Sequence, residues 1–128
     1  MMKATAQLTE ECRQWRFTLR HLRDQFTNHT HKLEKKVLEK NRRLAMWEVE
    51  HLYNQFYIQL INIHDLKKVI KRHADNISKQ SMRGVLRDDT VALHCFLTND
   101  VERLQHRLKS ISDEFKMFLR NYPPAIYA

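Results

Sequence analysis

The chain contains almost none of the residues that interrupt helices or form tight turns. Among 128 residues it has one glycine, Gly84, and two prolines, Pro123 and Pro124, where average usage would supply roughly 15. Sheets built from hairpins need many more turn residues, so the composition predicts an all-α protein. Phosphate-binding loops, dinucleotide-binding fingerprints and nucleophile elbows each require closely spaced glycines, and the sequence excludes these three kinds of site.

Apolar side chains repeat at alternating spacings of four and three residues, the pattern of long helices that pack as coiled coils do. We call these the seam positions. The last series is the most regular and stops at Pro123, which cannot continue a helix. The seam positions are Leu8, Cys12, Trp15, Leu19, Leu22, Phe26, His29, Leu33 and, after a shift of one residue, Val37; then Val49, Leu52, Phe56, Gln59, Ile63, Leu66, Ile70, His73 and Ile77; then Leu97, Val101, Leu104, Leu108, Ile111, Phe115, Phe118 and Tyr122.

These series predict an antiparallel bundle of three helices that forms a single domain. Gly84 lies in the clearest loop of the chain, between the second and third helices. Thr9 is expected to cap the first helix, and Asp88 or Asp89 the third. The predicted ranges are 1–128 for the domain and about 9–40, 44–79 and 89–121 for the helices.

The sequence allows two alternative positions for the end of the first helix. A break near Asn41 gives three helices of matching length, and this is the interpretation we favour. A break near Asn28, within the weak helix formers Thr27–His31, would give a four-helix variant. The pattern is similar in architecture to spectrin-type three-helix bundles, and a similarity of fold implies no function.

The sequence predicts a cytoplasmic protein. It has no apolar run of about 18 residues that would span a membrane, and its start lacks the apolar region of a signal peptide. Cys12 and Cys95 are too few for a disulfide framework and lack the spacing of a zinc or redox motif, so both are expected to be reduced. Cys12 should be buried and inert, and Cys95, one residue off the seam, half-buried.

Eight histidines raise the question of a metal site or a haem site. Helical zinc sites favour two histidines four residues apart, and the chain has no such pair. Glu48 and His51 supply one of the two Glu-x-x-His elements that a di-iron bundle needs. His73 and His94 fall on seam positions, where we expect histidines satisfied by water or a neighbouring side chain. The sequence therefore predicts no metal, no cofactor and no catalytic residue, with a metal or haem bundle as the third hypothesis.

The formal charge of +8 is spread thinly along the chain. Two short segments, 35–43 and 67–72, are locally basic. Arginines recur at three- and four-residue spacing along the first helix, on the side expected to face away from Cys12, Leu19 and Phe26. Such a stripe can follow phosphate groups without reading bases. Solubility alone also produces such patterns, so a nucleic-acid-binding accessory protein is our alternative hypothesis. The possible contact residues are Arg13, Arg16, Arg20 and Arg23.

The middle helix is apolar on more than one side near its centre. One apolar stripe packs against one neighbouring helix. The wider belt therefore predicts a central helix that contacts both other helices and a further partner. The first and last helices can cover only part of it. We therefore expect a non-enzymatic protein that acts by association, most simply as a homo-oligomer. The predicted interface residues are Trp47, Tyr53, Tyr57, Ile58 and Ile61.

Overall fold

Three long helices account for nearly all of the structure, a computed structural model that describes residues 5–39 and 43–123. Helix α1 covers Thr5–Leu38, α2 covers Met46–Met82 and α3 covers Asp88–Asn121. Each is about 50 Å long at the usual rise per residue. Over the described residues the structure contains no strand, which confirms the all-α three-helix prediction.

The break between α1 and α2 falls where the favoured prediction has it. Helix α1 continues without interruption through residues 27–31 and ends at Leu38, so the four-helix variant is wrong. Residues 40–42, which include Asn41, lie outside the described part of the chain. Residues 27–31 remain helical despite weak propensity because Phe26, His29 and Leu33 bury one face of the helix in the core.

Side chains at the seam positions form a continuous core between the three helices. Helix α2 is central, as predicted, since it packs against both other helices and α1 and α3 touch each other less extensively. At mid-height the rings of Phe26, Phe56 and Phe115, one from each helix, meet edge to face. The fully buried apolar core residues also include Leu19, Leu33, Ile63, Ile70 and Ile77.

Helix α1 departs from the sequence prediction at both ends. The helix already includes Thr5, so Thr9 is inside it and its hydroxyl donates to the carbonyl of Thr5, 3.0 Å away, instead of capping the start. Near the other end the seam does not shift. Lys36 takes the buried place three residues after Leu33, and Val37 is only half-buried. The Lys36 ammonium forms an ion pair with the carboxylate of Glu39, at 3.1 Å.

The α2–α3 turn is held by a side chain that the sequence analysis did not single out. The amide of Gln80 accepts from the backbone N–H of Arg87 at 2.9 Å and donates to the hydroxyl of Thr90 at 2.8 Å. Arg87 is the residue before α3, so neither Asp88 nor Asp89 caps that helix by a side-chain bond; both lie in its first turn. Gly84 has φ of 74°, the left-handed conformation that glycine adopts most readily.

The helices alternate in direction, so α1 and α3 run parallel and begin at the same end of the bundle. Contacts between His29 and Ser112 and between Glu11 and His94 link α1 to α3 at matching depths. None of the helices, over the residues described, combines the length and apolar character needed to cross a bilayer.

Candidate functional sites on the surface and in the core

The predicted belt on α2 stays largely outside the bundle. Tyr57, Ile58 and Ile61 are 66%, 46% and 42% exposed, and they lie within four residues of one another on the solvent side of the helix. Tyr53 lies at the edge of this group, where its hydroxyl donates to Glu34 of α1. Trp47 is 71% exposed but lies about 16 Å further along the helix axis than Ile58. The structure therefore brings together four of the five predicted interface residues and separates Trp47 from them.

The exposed group belongs to a second heptad series on the outward side of α2. Glu50, Asn54, Tyr57, Ile61, His64 and Lys68 follow one another at spacings of four and three residues, and all six are exposed. We call this series, together with the adjacent Ile58 and with exposed Arg72 one turn beyond Lys68, the outward stripe. Its centre is apolar, its first residue is acidic and its last residues are basic. The apolar centre was predicted from the sequence, but its continuation into charged residues at both ends was not.

The four arginines of α1 lie along its boundary with α2, so the prediction that they face away from the core side of the helix is wrong. Arg13 pairs with Glu10 at 2.7 Å, and Arg23 pairs with Asp24 at 2.9 Å, so these two charges are partly neutralised. Arg16 is half-buried and Arg20 is exposed. A groove of about 400 Å³ runs beside them, and exposed Phe17 contributes to its wall.

Lys67 of α2 joins this basic group from the opposite side of the boundary. Partial burial lowers the pKa of Lys67, and the positive charges of Arg23, Arg20 and Arg16 lower it further, while Asp24 opposes the shift. Positive charges grouped in this way raise the local electrostatic potential, which attracts anions. Lys67 was part of a basic segment in the sequence, but its meeting with the arginines depends on how α1 and α2 align.

The core contains a buried histidine at mid-height. His29 contacts the three core phenylalanine rings, and its Nε2 lies 3.1 Å from the hydroxyl of Ser112 on α3. Its Nδ1 is buried without a hydrogen-bond partner. Burial lowers the pKa of His29, and the nearby charges of Lys32 and Lys116 lower it further, so the ring is neutral in the folded protein. His31 is exposed, because residues two apart on a helix, such as His29 and His31, point in different directions.

A second buried polar cluster joins all three helices nearer the Gly84 end. It consists of Cys12 from α1, His73 from α2 and His94 from α3, and one ligand atom from each lies within 4.8 Å of the others. Nε2 of His73 is 2.9 Å from Nδ1 of His94. The opposite nitrogen of His94, Nε2, is 3.1 Å from a carboxylate oxygen of Glu11. We call Cys12, His73 and His94, together with Glu11, the Cys-His cluster.

Burial keeps two members of the Cys-His cluster, Cys12 and His73, uncharged near neutral pH. Burial raises the pKa of Cys12 to about 11, although the positive charge of Arg16 opposes the shift, so the thiol keeps its proton. Burial lowers the pKa of His73, and the neighbouring His94 ring adds to this shift. The ring of Trp15 lies against His94, with the ring centres 4.5 Å apart, and shields it from water. Cys12 is buried, as predicted, whereas Cys95 is exposed rather than half-buried.

The Glu-x-x-His element visible in the sequence, Glu48 with His51, is not part of the Cys-His cluster. His51 is exposed and pairs with Glu114 of α3 at 2.9 Å, and Glu48 approaches the hydroxyl of Tyr122. Cys12 was predicted to be inert, and His73 and His94 were each predicted to be satisfied by water or a neighbouring side chain. The missed signal was that His73 and His94 lie nearly equidistant from Gly84, so a hairpin turning there brings them level.

Comparison with known proteins does not assign these sites: no family model, no curated protein and no solved structure matches the chain.

Proposed function

We propose that the protein is a non-enzymatic helical bundle that acts by self-association, as a homodimer formed through the outward stripe of α2. The observation that carries this proposal is the exposure of Tyr57, Ile58 and Ile61 together at the centre of the stripe. Large apolar and aromatic side chains grouped in this way are typical of the centre of a protein interface.

Charge along the outward stripe favours a second copy of the chain as the occupant. A two-fold axis through Ile61, perpendicular to the helix, would pair α2 with α2 of the partner in antiparallel orientation. Glu50 and Arg72 are equally distant from Ile61 in sequence, so each would face the other across the interface. Opposite charges would therefore meet at both ends of an apolar centre, and the contact would occur twice by symmetry.

The expected affinity is modest. The stripe from Glu50 to Arg72 is about 33 Å long, but only three large apolar side chains per chain form its centre. Interfaces of this size lie at the small end of specific contacts, so we expect dissociation in the micromolar range. Mass must accordingly be measured over a series of protein concentrations.

Charge reversal tests this arrangement. Glu50→Arg places like charges together at both ends, so we expect the dimer to weaken about tenfold or more. Arg72→Glu should do the same, and the combined E50R/R72E variant should restore dimerisation because the charges are exchanged. Both residues are exposed, so the helical circular dichroism of all three variants should match that of the unaltered protein. A combined variant that associates no better than either single variant would contradict the antiparallel pairing.

The same proposal includes a cytoplasmic location. It is supported by two cysteines that are both free, since thiols persist in the reducing cytoplasm and tend to be oxidised in secretory compartments. Fractionation of cells that produce the full chain tests it, and recovery only from a membrane or secreted fraction would count against it.

Binding of a polyanion such as nucleic acid is the second candidate. It is favoured by the convergence of Lys67 with Arg16, Arg20 and Arg23 at the α1–α2 boundary. Neutralised phosphates release counterions, so affinity for random duplex or single strand should fall steeply between about 50 and 200 mM salt. Replacing all four arginines of α1, Arg13 included, with glutamine should weaken binding equally for every nucleic-acid sequence and flatten the salt dependence. Binding that survives this replacement would place the contact elsewhere.

A further inference from the structure

The Cys-His cluster has the composition and arrangement of a transition-metal site. A sulfur and two imidazole nitrogens are the ligands that zinc takes in proteins, and sulfur in particular disfavours magnesium and calcium. Each comes from a different helix, and all three residues are buried. A site of this kind would tie the three helices together at one level of the bundle.

The distances are close to those that one tetrahedral ion requires. Zinc bonds of about 2.0–2.1 Å to nitrogen and 2.3 Å to sulfur place two nitrogens roughly 3.3 Å apart and a nitrogen and sulfur roughly 3.6 Å apart. Nε2 of His73 and Nδ1 of His94 are 2.9 Å apart, and Sγ of Cys12 lies within 4.8 Å of a ring nitrogen of each histidine. Changes of at most about 1.2 Å in these separations, within the reach of side-chain rotation, therefore suffice to close the site.

Glu11 supplies a second and independent observation. A histidine that binds a metal through one nitrogen commonly donates from the other to a carboxylate, which fixes the ring and strengthens the metal bond. His94 directs Nδ1 at His73 and contacts Glu11 through Nε2, at 3.1 Å. The carboxylate thus lies on the side of His94 opposite to the position that an ion would occupy.

The Cys-His cluster lies just beneath a surface groove. Cys12 lines the groove beside the α1 arginines, together with Arg13, Arg16 and Ala74. A metal held by three protein ligands keeps a fourth position for water or an anion. The positive charge of the groove would favour an anion there, and that charge distinguishes this site from a closed structural zinc site.

We propose that Cys12, His73 and His94 bind one zinc-class transition-metal ion per chain, with Glu11 positioning His94 and a water or small anion as fourth ligand. This site is independent of dimerisation through the outward stripe.

The test is titration of the metal-free full-length protein with Co²⁺, followed by displacement with Zn²⁺. We expect one equivalent of Co²⁺ to produce the thiolate-to-cobalt charge-transfer band and the intense visible bands of a four-coordinate ion, and Zn²⁺ to abolish both. The matched control is Cys95→Ser, which removes the exposed thiol and should leave the spectrum unchanged. Cys12→Ser should remove the charge-transfer band and weaken Zn²⁺ binding at least 100-fold.

Glu11→Gln separates a positioning role from a purely structural one. It keeps a hydrogen-bonding side chain beside His94 but removes the charge, so Zn²⁺ affinity should fall about 10- to 100-fold with the charge-transfer band retained. The proposal is overturned if the unaltered protein gives only the weak bands of octahedral cobalt. It is also overturned if the Cys12→Ser variant binds Co²⁺ and Zn²⁺ as tightly as the unaltered protein. Because the band in the unaltered protein reports thiolate ligation directly, the result holds even if a cluster variant folds poorly.

Discussion

Acid sensitivity of folding should originate in part from His29. In the folded protein this ring is 7% exposed and lies among three phenylalanine rings, which hold it neutral. Burial, with Lys32 and Lys116 nearby, lowers its pKa from 6.5. In the unfolded chain the ring regains its ordinary pKa. The unfolded state therefore binds one more proton in the pH window that begins near 6.5 and extends down to the folded-state pKa.

The sign and size of the effect follow from this difference. Where the unfolded state binds more protons, stability falls as pH falls, so the loss begins near pH 6.5 and ends at the folded-state pKa. One proton costs at most about 1.4 kcal/mol for each pH unit inside the window. Between pH 6.5 and about 5.5 the expected loss from His29 is thus up to about 1.4 kcal/mol, well before most carboxylates titrate.

Urea unfolding at about pH 7.5 and 5.5, for the unaltered protein and His29→Gln, measures this loss. Glutamine can still meet the hydroxyl of Ser112 but carries no proton at either pH. The variant should be less stable at pH 7.5 because it loses the ring contacts, yet it should lose less stability on acidification. His73 contributes equally to both proteins, so the difference isolates His29. Identical pH dependence in the two proteins would refute the reasoning.

Three other predictions follow from burial and backbone geometry. Phe56→Ala should destabilise the protein by about 3–5 kcal/mol because it leaves a cavity between three helices. Tyr57→Ala, at an exposed neighbouring position, should change the stability of the single chain by roughly 0.5 kcal/mol or less; urea unfolding at protein concentrations too low for association distinguishes them. Gly84→Ala should cost about 1–2 kcal/mol, for conformational reasons alone since a Cβ there meets no atom within 4 Å, and an unchanged unfolding midpoint would contradict this. A thiol reagent should modify Cys95 in the native, metal-free protein and reach Cys12 only in denaturant, because burial raises the pKa of Cys12 to about 11; two fast equivalents in the native protein would argue against a buried Cys12.

Heptad spacing was sufficient to predict most of the fold because helices of this kind are specified locally. Each seam residue is three or four positions from the next, so the buried face can be located without knowledge of the neighbouring helices. The error at Lys36 illustrates the limit of this rule. The sequence prediction moved the seam to Val37 to keep it apolar, but the helix maintained its period and buried a lysine whose ammonium pairs with Glu39.

The Cys-His cluster was beyond the sequence analysis for a different reason. Its members belong to three helices, so their meeting depends on the vertical alignment of those helices, which periodicity along one helix does not determine. The same holds for Lys67 and the arginines of α1. The exposed centre of the outward stripe was predictable, because Tyr57 and Ile61 lie opposite the seam of their own helix.

The central proposal is tested most directly by sedimentation equilibrium of the unaltered protein beside the Tyr57→Lys/Ile61→Lys double variant, over a range of concentrations. We predict that the unaltered protein approaches twice the chain mass of 15.6 kDa as its concentration rises. The double variant should remain at the chain mass with its helical circular dichroism retained, since charges are tolerated on an exposed face and not in a core. An unaltered protein that keeps the single-chain mass at every concentration, or a double variant that unfolds, would contradict association through the outward stripe of α2.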